Sequence, residues 1–143
     1  MKRRDRALTS FLGVRFGAAE LYGVIDKITE IEDCIAAGQH RATDKDEQVL
    51  LFVKMKQGKL NEKLCQTIRE STKAALSPRH VPAHILQVKD IPYTLNGKKI
   101  ESVVRATVSD KPTKVTGTAA NPECLEEYKR FVHLPSGAQN PRL

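Results

Sequence analysis

An unbroken apolar run from Val49 to Val53, flanked by charged residues, constrains the fold of this chain most. Its residues are mostly β-branched or aromatic, and none is polar, which is typical of a strand buried in a protein core. A buried strand needs neighbours that complete its hydrogen bonds. Similar segments at Ile31 to Ala37 and Ile85 to Lys89 therefore predict a small three-stranded sheet.

Segments with helical periodicity lie before, between and after these strands. Apolar residues recur every three or four positions in Ala18 to Thr29, in Glu62 to Leu76 after the N-cap candidate Asn61, and in Lys99 to Ser109. The order of helix, two strands, helix, strand and helix predicts an α+β domain with helices packed on the sheet. A chain of 143 residues with 40% hydrophobic and 29% charged residues is long enough, and apolar enough, for one such core.

A short loop from Ile91 to Glu101 contains the most distinctive residues of the chain. A proline and an Asn-Gly pair frame the loop, and Lys98 and Lys99 follow Gly97 directly. One interpretation is a hairpin turn with two solvated lysines. The other is a constrained loop at a helix N-terminus, where Lys98 faces an anion. The helical period that begins after Lys99 favours the second interpretation.

The loop resembles the C-terminal lysine motif of the acyl-adenylate-forming enzyme superfamily, Pro-x-Thr-x-x-Gly-Lys. The residues at the matching positions are Pro92, Thr94, Gly97 and Lys98. Together with Ser77 to Pro82, the loop is similar to one branch in particular, the acetoacetate–CoA ligases. The resemblance extends from about Gly13 to Tyr128. It implies the fold of the family's small C-terminal lid domain, a compact sheet carrying helices.

The resemblance also implies a reaction. In this family a carboxylic acid and ATP form an acyl-adenylate and pyrophosphate, and the thiol of coenzyme A then displaces AMP. The branch implies acetoacetate as the acid, and the motif implies that Lys98 is the catalytic residue of the first step. An ammonium group offsets the repulsion between a carboxylate and the phosphate that it attacks. Arginine would substitute poorly, because its planar guanidinium group is wider.

The segment from Gly13 to Tyr22 resembles the family's hinge-side motif, which helps to form the channel for the pantetheine arm of coenzyme A. This resemblance implies that Gly13, Arg15 and Gly17 bind the cofactor. The alternative is an ordinary helix start, with Arg15 in a surface ion pair. Residues 1–12 form a basic N-terminal segment in the hinge region, in which no hinge residue is assigned.

Two more basic residues are candidates for binding coenzyme A. Relatives in the family place a basic residue close to Lys73 and Arg79, where it meets the phosphates of coenzyme A. The alternative is a solvated helix end, since a cation there interacts favourably with the helix dipole.

These observations divide the chain into three parts. Residues 1–12 are the basic segment, 13–110 the domain of the adenylate-forming enzymes, and 111–143 a linker, a short helix and a disordered tail. Asp110 to Asn121 is rich in Lys, Thr, Gly and Ala, which predicts the linker. We expect the short helix at Glu123 to Val132 and the disordered tail at Leu134 to Leu143.

The sequence has neither a glycine-rich phosphate loop nor an acyl pocket, which in the family belong to a large N-terminal adenylation domain. We therefore expect a lid-domain fragment whose partner is that missing domain and which is inactive by itself. ATP and coenzyme A would be co-substrates and Mg²⁺ would act in the full-length enzyme only. The fragment alone is expected to bind none of them.

The net charge of +7 allows a different class of function, a non-catalytic basic module that binds nucleic acid or a partner protein. Aromatic residues make up only 5% and tryptophan is absent, so nucleic acid is not the expected partner. Cys34, Cys65 and Cys124 lack metal-ligand spacing, which predicts no metal site and reduced thiols in the cytosol. No apolar run is long enough to predict a membrane span.

Overall fold

A mixed three-stranded sheet lies at the centre of the fold. The computed structural model describes residues 18–42, 44, 47–76, 81–111 and 120–135. Its strands are β1 (Ile31–Gln39), β2 (Gln48–Met55) and β3 (His84–Gln87), which lie side by side in that order. β1 and β2 are antiparallel, whereas β2 and β3 are parallel. A parallel pair needs a long crossover connection, and the helix between β2 and β3 supplies it.

Helices pack on both faces of this sheet, which confirms the predicted α+β class. The helices are α1 (Ala18–Ile25), α2 (Glu62–Ala75), α3 (Glu101–Val108) and α4 (Leu125–Tyr128), with 3₁₀ turns at Pro122–Cys124 and Lys129–His133. The ends differ from the sequence-based bounds by a few residues. α1 stops at Ile25 rather than Thr29, and α3 begins at Glu101 rather than Lys99.

β2 is buried on both faces, as its apolar run predicts. Leu50 and Phe52 belong to the core on one side of the sheet, while Val49, Leu51 and Val53 belong to the core on the other. All five are at most 8% exposed. Successive side chains of a strand point to opposite faces of the sheet. When both faces are covered, apolar side chains are needed at every position of the strand rather than at every second one.

The first core lies between the sheet and the helices α1 and α2. Asn61 caps α2, and its side chain accepts a hydrogen bond of 2.8 Å from the backbone N–H of Leu64. At the far end of this helix, Leu76 is only partly buried. Thr72 occupies the buried position instead, and its hydroxyl donates to the Ile68 carbonyl at 2.7 Å.

The second core includes residues beyond the boundary that the sequence places at residue 110. Leu125, Tyr128 and Phe131 are at most 8% exposed and belong to the core on the α3 side of the sheet. The ring of Tyr128 lies edge-on to Phe52 at 4.8 Å between centroids. The segment 120–135 therefore packs with the sheet. Residues 112–119 of the predicted linker and 136–143 of the predicted tail lie outside the described residues.

We expect the backbone amides of β2 to exchange with solvent more slowly than any others in the domain. Both neighbours of β2 are strands and both of its faces are covered, so exchange there requires the most extensive opening. Hydrogen exchange followed by NMR measures this directly. Amides near the exposed Leu95 serve as the fast reference. Rapid exchange from Val49 to Val53 would contradict the assignment of β2 as the central strand.

Candidate functional site

The loop before α3 is a tight hairpin, residues 92–100, which we call the lysine hairpin. The Thr94 N–H donates to the Lys98 carbonyl at 2.7 Å, and the Gly97 N–H donates to the Thr94 carbonyl at 2.9 Å. Tyr93 and Lys99 face each other in an antiparallel bridge. Gly97 has a φ of 84°, a conformation that residues with a side chain rarely adopt. The loop is therefore a hairpin turn that leads directly into α3.

Lys98 and Lys99 lie in the lysine hairpin, before the first turn of α3. Since α3 begins at Glu101, Lys98 precedes it by three residues. The two side chains differ in exposure: that of Lys98 is exposed, whereas that of Lys99 is only 18% exposed.

Lys98 lies at the surface of the domain. Its side chain is exposed, and within the described part of the chain its ammonium group forms no ion pair. Its backbone is held nonetheless, because its N–H donates to the Thr94 hydroxyl at 3.1 Å. A fixed backbone and an unpaired ammonium group suit a residue that must reach an anion outside this domain.

Lys99, in contrast, is engaged within the domain. Its ammonium nitrogen lies 3.4 Å from an Asp33 carboxylate oxygen and 3.7 Å from the centre of the Tyr22 ring. Only 18% of its side chain is exposed. An ion pair and a cation–π contact together hold this side chain in place.

Hydroxyl groups extend the contacts around Lys99. The Tyr93 hydroxyl donates to Asp33, and the Tyr22 hydroxyl donates to Glu101 at 2.5 Å. Burial raises the pKa of Tyr22 and Tyr93 well above the ordinary tyrosine value, and their carboxylate partners raise it further. Both hydroxyls therefore remain protonated donors at neutral pH. Burial likewise raises the pKa of the adjacent Cys34 thiol to about 12, so this cysteine is an unreactive thiol.

Asn121 supports the base of the lysine hairpin from the C-terminal segment. Its side-chain oxygen accepts from the Tyr93 N–H at 3.0 Å, and its amide group donates to the Ile91 carbonyl at 2.9 Å and to Asp90 at 3.0 Å. Sequence reasoning missed this residue, because it assigned Asn121 to a linker. The Asn-Pro pair at this position is a turn signal and could have indicated an ordered connection.

The other predicted site residues are not brought together with the hairpin in the described part of the chain. Lys73 lies in the last turn of α2 and is exposed. Gly13, Arg15, Gly17 and Arg79 lie outside the described residues. Among the residues described, no group of three or more His, Cys, Asp or Glu side chains could hold a metal ion, and no helix is long and apolar enough to cross a membrane.

Comparison with known proteins finds similarity to acetoacetyl-CoA synthetases. The acetoacetyl-CoA synthetase of Danio rerio is 41% identical over 123 residues, which are 85% of this chain and 18% of the relative. That of Caenorhabditis elegans is 44% identical over 132 residues, which are 92% of this chain and 19% of the relative. No family model matches the chain.

A solved structure gives the same result at the level of the fold. The structure of the acetoacetyl-CoA synthetase from Streptomyces lividans aligns with a TM-score of 0.73 and 27% identity. The alignment covers 89% of this chain and 19% of that protein. The chain thus spans less than a fifth of the length of the proteins it matches. Its sequence is similar to one segment of acetoacetyl-CoA synthetases, and its fold matches that of the C-terminal domain of adenylate-forming enzymes.

Proposed function

We propose that this domain is the lid of an acetoacetate-activating ligase and delivers Lys98 to the reaction that forms the acyl-adenylate. The observation that carries the proposal is the contrast between the two adjacent lysines: Lys98 is exposed and unpaired among the described residues, and Lys99 is held by Asp33. Homology to acetoacetyl-CoA synthetases is the reason to prefer this function over that of a basic binding module.

The proposed chemistry assigns one step to Lys98. The carboxylate of acetoacetate attacks the α-phosphorus of ATP, and the bond to pyrophosphate breaks. The Lys98 ammonium group contacts the attacking carboxylate and a phosphate oxygen, where negative charge accumulates in the transition state. We assign the binding of ATP, its Mg²⁺ and acetoacetate to a nucleotide-binding partner domain of the family's kind.

Coenzyme A would enter for the second step, in which its thiol attacks the acyl carbon and AMP leaves. Gly13, Arg15, Gly17, Lys73 and Arg79 are the proposed contacts for it. Glycines let the backbone lie beside the narrow pantetheine arm, and the cations suit its phosphates. The exposed position of Lys73 at the end of α2 is compatible with this role.

We further propose that the domain works in the cytosol. Cys34, Cys65 and Cys124 are free thiols, and Cys34 and Cys65 are buried. Unpaired cysteines in a domain of this size are typical of a reducing compartment.

Reconstitution tests the proposed function. The 143-residue chain by itself should release no pyrophosphate from ATP and acetoacetate, because its sequence contains no phosphate loop. Joined to the nucleotide-binding domain of an acetoacetyl-CoA synthetase, it should restore acetoacetate-dependent pyrophosphate release. The nucleotide-binding domain alone is the control. If the joined protein is no faster than this control, the domain is not a functional lid.

A further inference from the structure

A single carboxylate contacts both ends of the lysine hairpin. The Tyr93 hydroxyl, before the turn, donates to one oxygen of Asp33, and the Lys99 ammonium nitrogen, after the turn, lies 3.4 Å from the other oxygen. Tyr93 and Lys99 are also bridge partners. Asp33 therefore joins the two strands of the hairpin to the same point of the domain.

Asp33 is itself fixed to the sheet. It lies in β1, opposite Lys54 of β2, just after an irregularity in the β1–β2 register. The backbone N–H of Cys34 donates to its side chain at 2.8 Å. The Asp33 carboxylate is thus held in place by its strand and by a backbone N–H group. The groups that bind to it, the Tyr93 hydroxyl and the Lys99 ammonium, are held in turn.

The far side of Lys99 is fixed by α1. The Tyr22 ring lies under its ammonium group, and the Tyr22 hydroxyl bonds both the Ala36 N–H at 3.0 Å and Glu101 at the start of α3. The ion pair between Asp33 and Lys99 is thus surrounded by α1, β1 and α3. Lys99 has little freedom to leave Asp33 while the domain is folded.

The tip of the hairpin has no comparable support. Leu95 is 70% exposed, and Asn96, Gly97 and Lys98 are exposed as well. Within the described part of the chain, the hydrogen bonds of the tip are local, from the N–H groups of Gly97 and Lys98 to Thr94. The direction in which Lys98 projects therefore depends on how the two ends of the hairpin are held.

We propose that Asp33 is a positioning residue for acyl-adenylate formation, acting through Tyr93 and Lys99 to fix the direction of Lys98. This inference rests on the proposed function of Lys98. Displacing a reacting group by about 1 Å costs up to about a hundredfold in rate. We expect loss of the Asp33 charge to cost about tenfold, because the backbone hydrogen bonds of the hairpin remain.

NMR relaxation of the whole 143-residue chain tests the mechanical part of the inference. In the unmodified chain, the Gly97 and Lys98 amides should have order parameters near 0.85, the value of rigid backbone. In Asp33→Asn they should fall below about 0.6, or show microsecond-to-millisecond exchange. Asp44→Asn is the matched control: it also removes a carboxylate from a short ion pair, with Arg41 at 2.9 Å, but outside the hairpin.

Kinetics of the reconstituted enzyme test the catalytic part. Asp33→Asn and Lys99→Met should each lower the single-turnover rate of adenylate formation about tenfold, leaving the KM for ATP unchanged. Lys99→Arg should retain most of the rate, because it preserves the ion pair. None of these variants should slow thioester formation from a preformed acyl-adenylate.

The outcomes separate this inference from the proposed function. Increased mobility with an undiminished adenylation rate, or an unchanged hairpin in Asp33→Asn, would overturn the role of Asp33. If Asp44→Asn also slows adenylate formation about tenfold, the effect of Asp33→Asn reflects a general loss of stability rather than the positioning of Lys98. If the unmodified reconstituted enzyme forms no adenylate, the proposed function fails, and the relaxation data still decide whether Asp33 holds the hairpin.

Discussion

Replacement of Lys98 by alanine is expected to slow acyl-adenylate formation in the reconstituted enzyme by about a hundredfold or more. The ammonium group would act where charge accumulates in the transition state, so its loss raises the barrier of that step. Thioester formation from a preformed acyl-adenylate should be spared, since we assign that step to residues around Gly13 to Gly17. Pyrophosphate release and coenzyme A consumption, measured separately, distinguish the two half-reactions.

The neighbouring lysine supplies the sharpest comparison. Lys99→Ala removes the same charge one residue away, but it should cost only about tenfold in adenylation. It should also lower the free energy of unfolding by about 1–3 kcal/mol, because Asp33 loses its cation. Lys98→Ala should leave stability unchanged, since its side chain is exposed. If Lys99→Ala is the more damaging to adenylation, or if Lys98→Ala slows both half-reactions equally, Lys98 is not the adenylation lysine.

Replacement of Tyr128 by alanine should lower the free energy of unfolding by about 3–5 kcal/mol. The ring is completely buried and lies against Phe52 of the central strand, so its removal leaves a cavity in the second core. Its hydroxyl also donates to the Asp90 carbonyl at 2.8 Å, next to the lysine hairpin. Urea unfolding monitored by circular dichroism measures the loss.

Two variants control this measurement. Tyr128→Phe keeps the ring and removes only the hydrogen bond, so it should cost about 1 kcal/mol. Leu95→Ala removes a large apolar side chain that is 70% exposed and should cost almost nothing. A Tyr128→Ala protein as stable as Leu95→Ala would mean that the segment 120–135 does not hold the core.

The central strand of the sheet was predictable from the sequence, because a strand that is buried on both faces has an unbroken run of apolar residues. In β2 every position from Val49 to Val53 is apolar, and the shortness of the run and its β-branched and aromatic residues favour a buried strand over a buried helix. The helix starts were less predictable. Ile100 continues the helical period, yet its N–H bonds back to the Pro92 carbonyl at 3.2 Å, so hairpin geometry extends to that residue.

The candidate site was predictable only where its residues are close in sequence. The motif from Pro92 to Lys98 singled out Lys98, but nothing in the sequence pairs Lys99 with Asp33, which lies 66 residues earlier. Asn121 was equally hidden, because a polar side chain among Lys, Thr and Ala looks like part of a linker. Polar contacts between residues far apart in the sequence depend on how the elements pack in three dimensions. Hydrophobic periodicity gives no information about that packing.

The bond between Tyr22 and the Ala36 N–H has a consequence for how copies of this domain behave at high concentration. Among the described strands, β1 lies at an edge of the sheet, and an uncovered edge is a template on which a strand of another molecule can add. The Tyr22 hydroxyl occupies the Ala36 donor, and Lys99, paired with Asp33, lies over the Tyr22 ring. We therefore expect Tyr22 to oppose edge-to-edge aggregation of the domain as well.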